Sequence, residues 1–170
     1  LSVVYTGVQF RGENHHPKAT VEGDVLESAL RFDMWPCMTS SMLITRDAIK
    51  DTSFFREIPG GDDLQMMIEL ADYGAFGRVN DVLVKKGDPP NSKGGSKGAV
   101  RGRFEILDRY AGLYRECPSS VYGSARGDAE FHRAKYYLAE QVWSLTAIRS
   151  MIRHCYWKPD TTSRCGLKIA

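Results

Sequence analysis

The sequence predicts an α/β fold over residues 1–98, followed by a helical segment over 99–170. Three observations carry this prediction. Residues 1–9 form an alternating, β-branched run of the kind that makes a half-buried strand. Residues 62–73 have helical spacing, stop at Gly74, and lead into a second β-rich run. Beyond the glycine-rich stretch 87–98, apolar residues recur only at helical intervals.

Taken in order, 1–9 is the first strand. Residues 10–21 hold Gly12, Asn14, His15, His16 and Pro17 and read as a loop. The spacing of Val21, Val25, Leu26, Ala29 and Leu30 predicts a short helix, and Pro36 breaks the chain after it. Residues 41–45 read as a buried strand, and 46–50 as a helical turn. Phe54 and Phe55 form a hydrophobic plug ahead of the loop 56–61. The helix over 62–73 carries the stripe Leu64, Met67, Ile68 and Ala71, with Gly74 at its C-cap. Residues 76–84 give one or two strands. Residues 87–98 form a long flexible loop without core residues. Phe104, Leu107, Ala111 and Tyr114 make one helical stripe. Phe131, Ala134, Leu138, Val142, Leu145, Ile148 and Ile152 make another, and 117–127 is the spacer between them. No internal repeat is visible.

Of the 170 residues, 42% are hydrophobic and 26% charged, the balance of a globular protein with its own core. Apolar runs fall far short of the roughly 20 residues that span a bilayer. The start lacks the basic segment of a secretory signal. Because the chain begins with Leu inside a strand-like run, it is expected to be part of something longer. Cys37, Cys117, Cys155 and Cys165 make no C-x-x-C pair, which suits free thiols in a reducing compartment; a Cys155–Cys165 disulfide is the alternative, with nothing in the sequence to support it. Residues 1–100 carry 11 Lys+Arg and 14 Asp+Glu, and 101–170 carry 12 and 7, so the net balance moves from −3 to +5. The basic part also holds Tyr136, Tyr137, Trp143, Tyr156 and Trp157. Two readings fit: a contact with an anionic membrane or a partner, or a solvated helical face with its aromatics in the core. No nucleic-acid recognition signature occurs, and nucleic acid is not an expected partner.

The candidate chemical centre is Gly61-Asp62-Asp63. Two acids at a helix start are explained by the macrodipole and the unpaired amides of the first turn. They also follow two glycines and an aromatic plug, and a carboxylate so placed can take a proton from a hydroxyl. Trp35, beside Met34 and Met38, offers either a wall for a sugar ring or core packing. Lys93 and Lys97 offer either a diphosphate clamp or a solvated loop. Asp88 is either an oxygen ligand for Mg²⁺ or Mn²⁺ or a turn former before Pro89-Pro90. His15-His16 reads as an exposed pair in a polar loop.

An ordered series of segments is similar to the acceptor side of family 2 glycosyltransferases of the GT-A fold. It comprises Thr39-Ser40-Ser41-Met42-Leu43-Ile44-Thr45-Arg46-Asp47-Ala48, then Phe54-Phe55-Arg56-Glu57, then Asp62-Asp63-Leu64-Gln65-Met66, then Tyr73-Gly74 and Val82-Leu83-Val84. With the opening strand, the resemblance covers about residues 1–95. It implies a partial GT-A-type mixed sheet with flanking helices. It implies inverting transfer from a nucleotide-sugar donor to an acceptor hydroxyl, the acceptor being a glycan or a lipid-linked molecule. Asp63 matches the catalytic base, and Asp62 stands where the family has Glu. Trp35, Ser40 and Ser41 fall on the acceptor side, Lys93 and Lys97 on the donor side. A divalent metal, Mg or Mn, is implied, together with a cytoplasmic location, if need be at the inner face of the membrane. Two departures stand out. No Asp-x-Asp occurs in the chain, so the nucleotide-binding half is expected upstream and the chain alone is expected to be inactive. Lys85-Lys86-Gly87-Asp88 replaces the family's His after the "Leu-Val" strand, which leaves Asp88 as the metal candidate. The competing class is a non-catalytic module that binds a partner or membrane through its basic helical half.

Overall fold

A computed structural model describes residues 1–53, 58, 60–87 and 95–159. The chain divides into two compact units, Leu1–Ser92 and Lys93–Ala170. Among the described residues the first is a mixed α/β unit with a four-stranded sheet, and the second is helical.

The spine of the first unit is β1 (Val3–Phe10), whose Val3, Tyr5 and Val8 are buried. Along one edge it pairs in parallel with β4 (Phe76–Lys86), from Val3 opposite Phe76 to Phe10 opposite Lys86. Two short antiparallel strands share its other edge. β2 (Glu13–His15) pairs with Val8 to Phe10, and β3 (Met42–Ile44) with Val3 to Tyr5. A parallel pair needs a crossover. It is supplied by α1 (Leu26–Leu30), α2 (Arg46–Asp51) and α3 (Asp62–Tyr73). Thr45 caps α2 by accepting the Ala48 N–H at 3.4 Å. The buried core includes Leu30, Met34, Cys37, Ile58, Met66, Ile68, Leu70 and Phe76, together with Val3, Tyr5 and Val8 of β1.

The second unit consists of α4 (Lys97–Arg109), α5 (Ala111–Glu116), α6 (Ser119–Glu140) and α7 (Leu145–Trp157). Ser96 and Ser144 cap α4 and α7, accepting from Ala99 N at 3.2 Å and Ala147 N at 3.3 Å. Arg103 ties α4 to α6. It donates to Asp128 at 3.0 Å and lies 3.3 Å from His132 Nε2. Burial, reinforced by the Arg103 charge, holds the His132 imidazole below its ordinary range. Glu130 of α6 is fully buried and is neutralised by Arg126 at 3.4 Å, Arg133 at 2.5 Å and Arg153 at 3.9 Å.

Several expectations need correction. The 10–21 loop contains β2 and a 3₁₀ turn, Ala19–Val21. The helix expected over 21–30 shrinks to Leu26–Leu30, because Gly23, at φ 77°, exchanges backbone hydrogen bonds with Phe76 and cannot be helical. Val21 and Val25 are buried all the same. The loop expected over 87–98 ends earlier: Lys97 and Gly98 already belong to α4, and 88–94 lie outside the described residues. The spacer expected over 117–127 lies largely within α6, where Gly123 and Gly127 serve close packing, not a break. The second stripe is split by 141–144, and of its members only Ala134 is buried. Gly74 is the C-cap of α3, as expected, with its backbone extended and its N–H reaching Leu70 O at 3.1 Å. The Ser2 hydroxyl lies 2.9–3.1 Å from the carbonyls of Leu70, Gly74 and Ala75, and so serves the orphan groups at that helix end.

Candidate functional site

The acid pair lies where local chemistry puts it. Gly60 adopts φ 75°, a left-handed turn that glycine enters without steric cost. The Gly61 N–H closes this turn on Ile58 O at 3.3 Å, and α3 begins at the next residue. Asp62 and Asp63 occupy its first turn, where unpaired amides favour carboxylates. Asp62 is half-buried, and Asp63 is exposed with its carboxylate accepting the Leu64 N–H at 2.9 Å.

Behind the pair, α3 anchors the chain that enters this loop. Glu69 accepts the Ser53 backbone N–H at 2.7 Å and also accepts from the Ser53 hydroxyl. Gln65 Nε2 donates to the same Ser53 oxygen and to Glu69, both at 2.8 Å. This anchor was not foreseen. The i,i+4 spacing of Gln65 and Glu69 is visible in the sequence, but nothing local points to Ser53. The plug residues Phe54 and Phe55 lie outside the described residues.

Ser2, just before β1, meets the C-terminal carbonyls of α3. The parallel strands β1 and β4 finish at the opposite end of the sheet. In α/β sheets that end is where ligands bind. Trp35 stands at the same end. It packs edge-on against Phe10, the last residue of β1, at 6.0 Å between ring centroids, and against His15 at 5.1 Å. Lys86, the last residue of β4, holds its ammonium 5.3 Å from the Trp35 ring and 4.8 Å from that of Phe10. Trp35 is half-buried, so one part of its ring packs and another meets solvent. His15 belongs to this aromatic cluster rather than to a free loop, and Met34 is core.

The other predicted site residues scatter. Ser40 is exposed in a 3₁₀ turn, Thr39–Ser41. Ser41 is buried, and its hydroxyl donates to Met38 O at 2.9 Å and accepts the Met38 N–H at 3.1 Å. That hydroxyl is committed to the turn. Lys97 is exposed at the start of α4 in the second unit. Asp88 and Lys93 lie outside the described residues. Among the described residues no group of three His, Cys, Asp or Glu side chains converges as a metal site, and no helix is long and apolar enough to cross a membrane.

Comparison of the chain with protein-family models, curated proteins and solved structures finds no match.

Proposed function

We propose that the first unit is the acceptor-side part of an inverting glycosyltransferase of GT-A type, with Asp63 as general base. The observation that carries this reading is the exposed Asp63 carboxylate on the first turn of α3, directly after the left-handed glycine turn that opens the helix. The ordered resemblance from Thr39 to Val84 supports it, as does a sheet mixing a parallel pair with antiparallel neighbours.

The reaction is a single displacement. The acceptor oxygen forms a bond to the anomeric carbon as the bond to the donor phosphate breaks. The electron pair of that bond leaves with the nucleoside diphosphate. The acceptor proton passes to Asp63, and the configuration at the sugar inverts. Asp62 adds negative charge beside the base, and Trp35 supplies a face on which an acceptor ring stacks. A divalent metal, if used, belongs with the nucleotide half, joined by Asp88. The test is Asp63→Asn in the full-length protein: transfer should be lost while the nucleotide sugar still binds.

A further inference from the structure

Helix α7 is built inside out. Its buried residues are Ala147, Ser150 and His154, all small or polar. They face α6, where Gly123 and Gly127 let the helices approach closely. A Cβ on Gly127 would lie 2.9 Å from Lys158 Cβ, and one on Gly123 would lie 3.1 Å from the Trp157 carbonyl oxygen. Polar contacts hold the pair. His154 Nδ1 lies 2.8 Å from Gly127 O, and Arg133 Nε donates to Ser150 at 2.8 Å. The orientation of α7 is thus fixed by its small face.

The large apolar residues point the other way. At about 100° per residue, Leu145, Ile148, Ile152 and Tyr156 fall within roughly a quarter of the circumference, opposite the buried face. They are exposed, Leu145 at 71% and Ile152 at 65%. The turn before the helix adds Val142 at 79% and Trp143 at 83%. A surface helix of a globular protein normally turns such a stripe to the core. Here the stripe faces out, and basic residues border it. Arg149 and Arg153 flank one side, and α7 contains no Asp or Glu. From Phe131 to Trp157 there are four Lys+Arg (Arg133, Lys135, Arg149, Arg153) and one acid, Glu140, and two of the four, Arg133 and Arg153, pair with the buried Glu130.

We propose that this face, α7 with Val142 and Trp143, docks on an anionic lipid bilayer, with the helix lying in the headgroup plane. The pattern of an apolar stripe, aromatic residues and one basic flank, Arg149 with Arg153 (itself 3.9 Å from Glu130), fits such an interface, where anionic lipid meets chiefly Arg149 as the stripe enters the acyl boundary. A second copy of the chain fits less well: self-complementary pairing across a two-fold axis would bring Arg149 and Arg153 toward their own images. The inference is independent of the sugar-transfer reading, since it uses only the second unit.

Flotation of the full chain with vesicles tests it. At low salt the chain should float with vesicles of phosphatidylcholine and phosphatidylglycerol and not with phosphatidylcholine alone. Ile148→Asp combined with Ile152→Asp should lower the bound fraction about tenfold or more, and Arg149→Glu about tenfold. Both variants change exposed positions and should keep the wild-type circular-dichroism melting curve, which separates lost binding from lost folding. Absence of flotation on the anionic vesicles, or binding indifferent to either variant, would overturn the proposal. So would a lipid-free dimer that the Ile148→Asp, Ile152→Asp variant dissociates, because the occupant would then be a second copy.

Discussion

Glu69 concentrates on one carboxylate the contacts that hold the chain entering the acid turn. It serves both donors of Ser53 and the amide of Gln65, within a part-buried environment. Its removal leaves those donors without this charged acceptor, and such losses cost roughly 1–3 kcal/mol. Glu69→Ala should therefore lower the urea midpoint of the first unit by a corresponding amount; an unchanged midpoint would show that the anchor contributes nothing. Cys37 gives a second handle. Burial pushes its thiol up from 9.0 to about 12. The folded state thus favours the neutral thiol. Its contribution to stability is complete below about pH 9 and falls away as pH rises toward 12. At about pH 8, alkylation of Cys37 in the folded chain should be at least about 100-fold slower than in the urea-unfolded chain. Equal rates by mass mapping would contradict its burial. Of these residues, the acid pair was legible from its glycines and its helix start. Ser53 and Glu69 were not, because their meeting depends on how a loop returns to α3.

At the level of elements, legibility followed how much of the signal was local. Helix α3 matches its expected bounds, 62–73, because acids open it, apolar residues repeat through it, and a glycine follows it. Its buried face is wider than the predicted stripe and includes Met66 and Leu70, while Leu64 is only half-buried. The short helix α1 was over-read because buried Val21 and Val25 mimic helical spacing, although a backbone pairing of Gly23 with Phe76 claims that segment. The α6–α7 stripe was misassigned for a related reason: periodicity identifies an apolar face but not whether the face points inward. In β1 the limiting residue is Gly7, at the irregular register between β1 and β4. A Cβ there would lie 2.8 Å from the His15 carbonyl oxygen and 3.0 Å from Val82 Cγ2. Gly7→Ala should destabilise the first unit by about 1–3 kcal/mol, since backbone stands in the way. A thermal midpoint equal to or above wild type would contradict this close approach.

Across the whole molecule, the change from mixed α/β to helical content was readable from the change of period, although the chain divides after Ser92 and not after the expected residue 98. The strand pairing was not, because a sequence pattern records faces and not neighbours: β1 takes three partners, two of them only three residues long. The two units carry separable proposals, acceptor-side sugar transfer for the first and attachment to an anionic bilayer for the second. The central claim is the role of Asp63. Its most direct test is the turnover of full-length Asp63→Asn, followed as nucleoside diphosphate released from nucleotide sugars in the presence of acceptor, alongside donor binding. Loss of a general base predicts a fall in kcat of about 100-fold or more with the donor Kd unchanged. Turnover at the wild-type rate would contradict the assignment of Asp63 as the base.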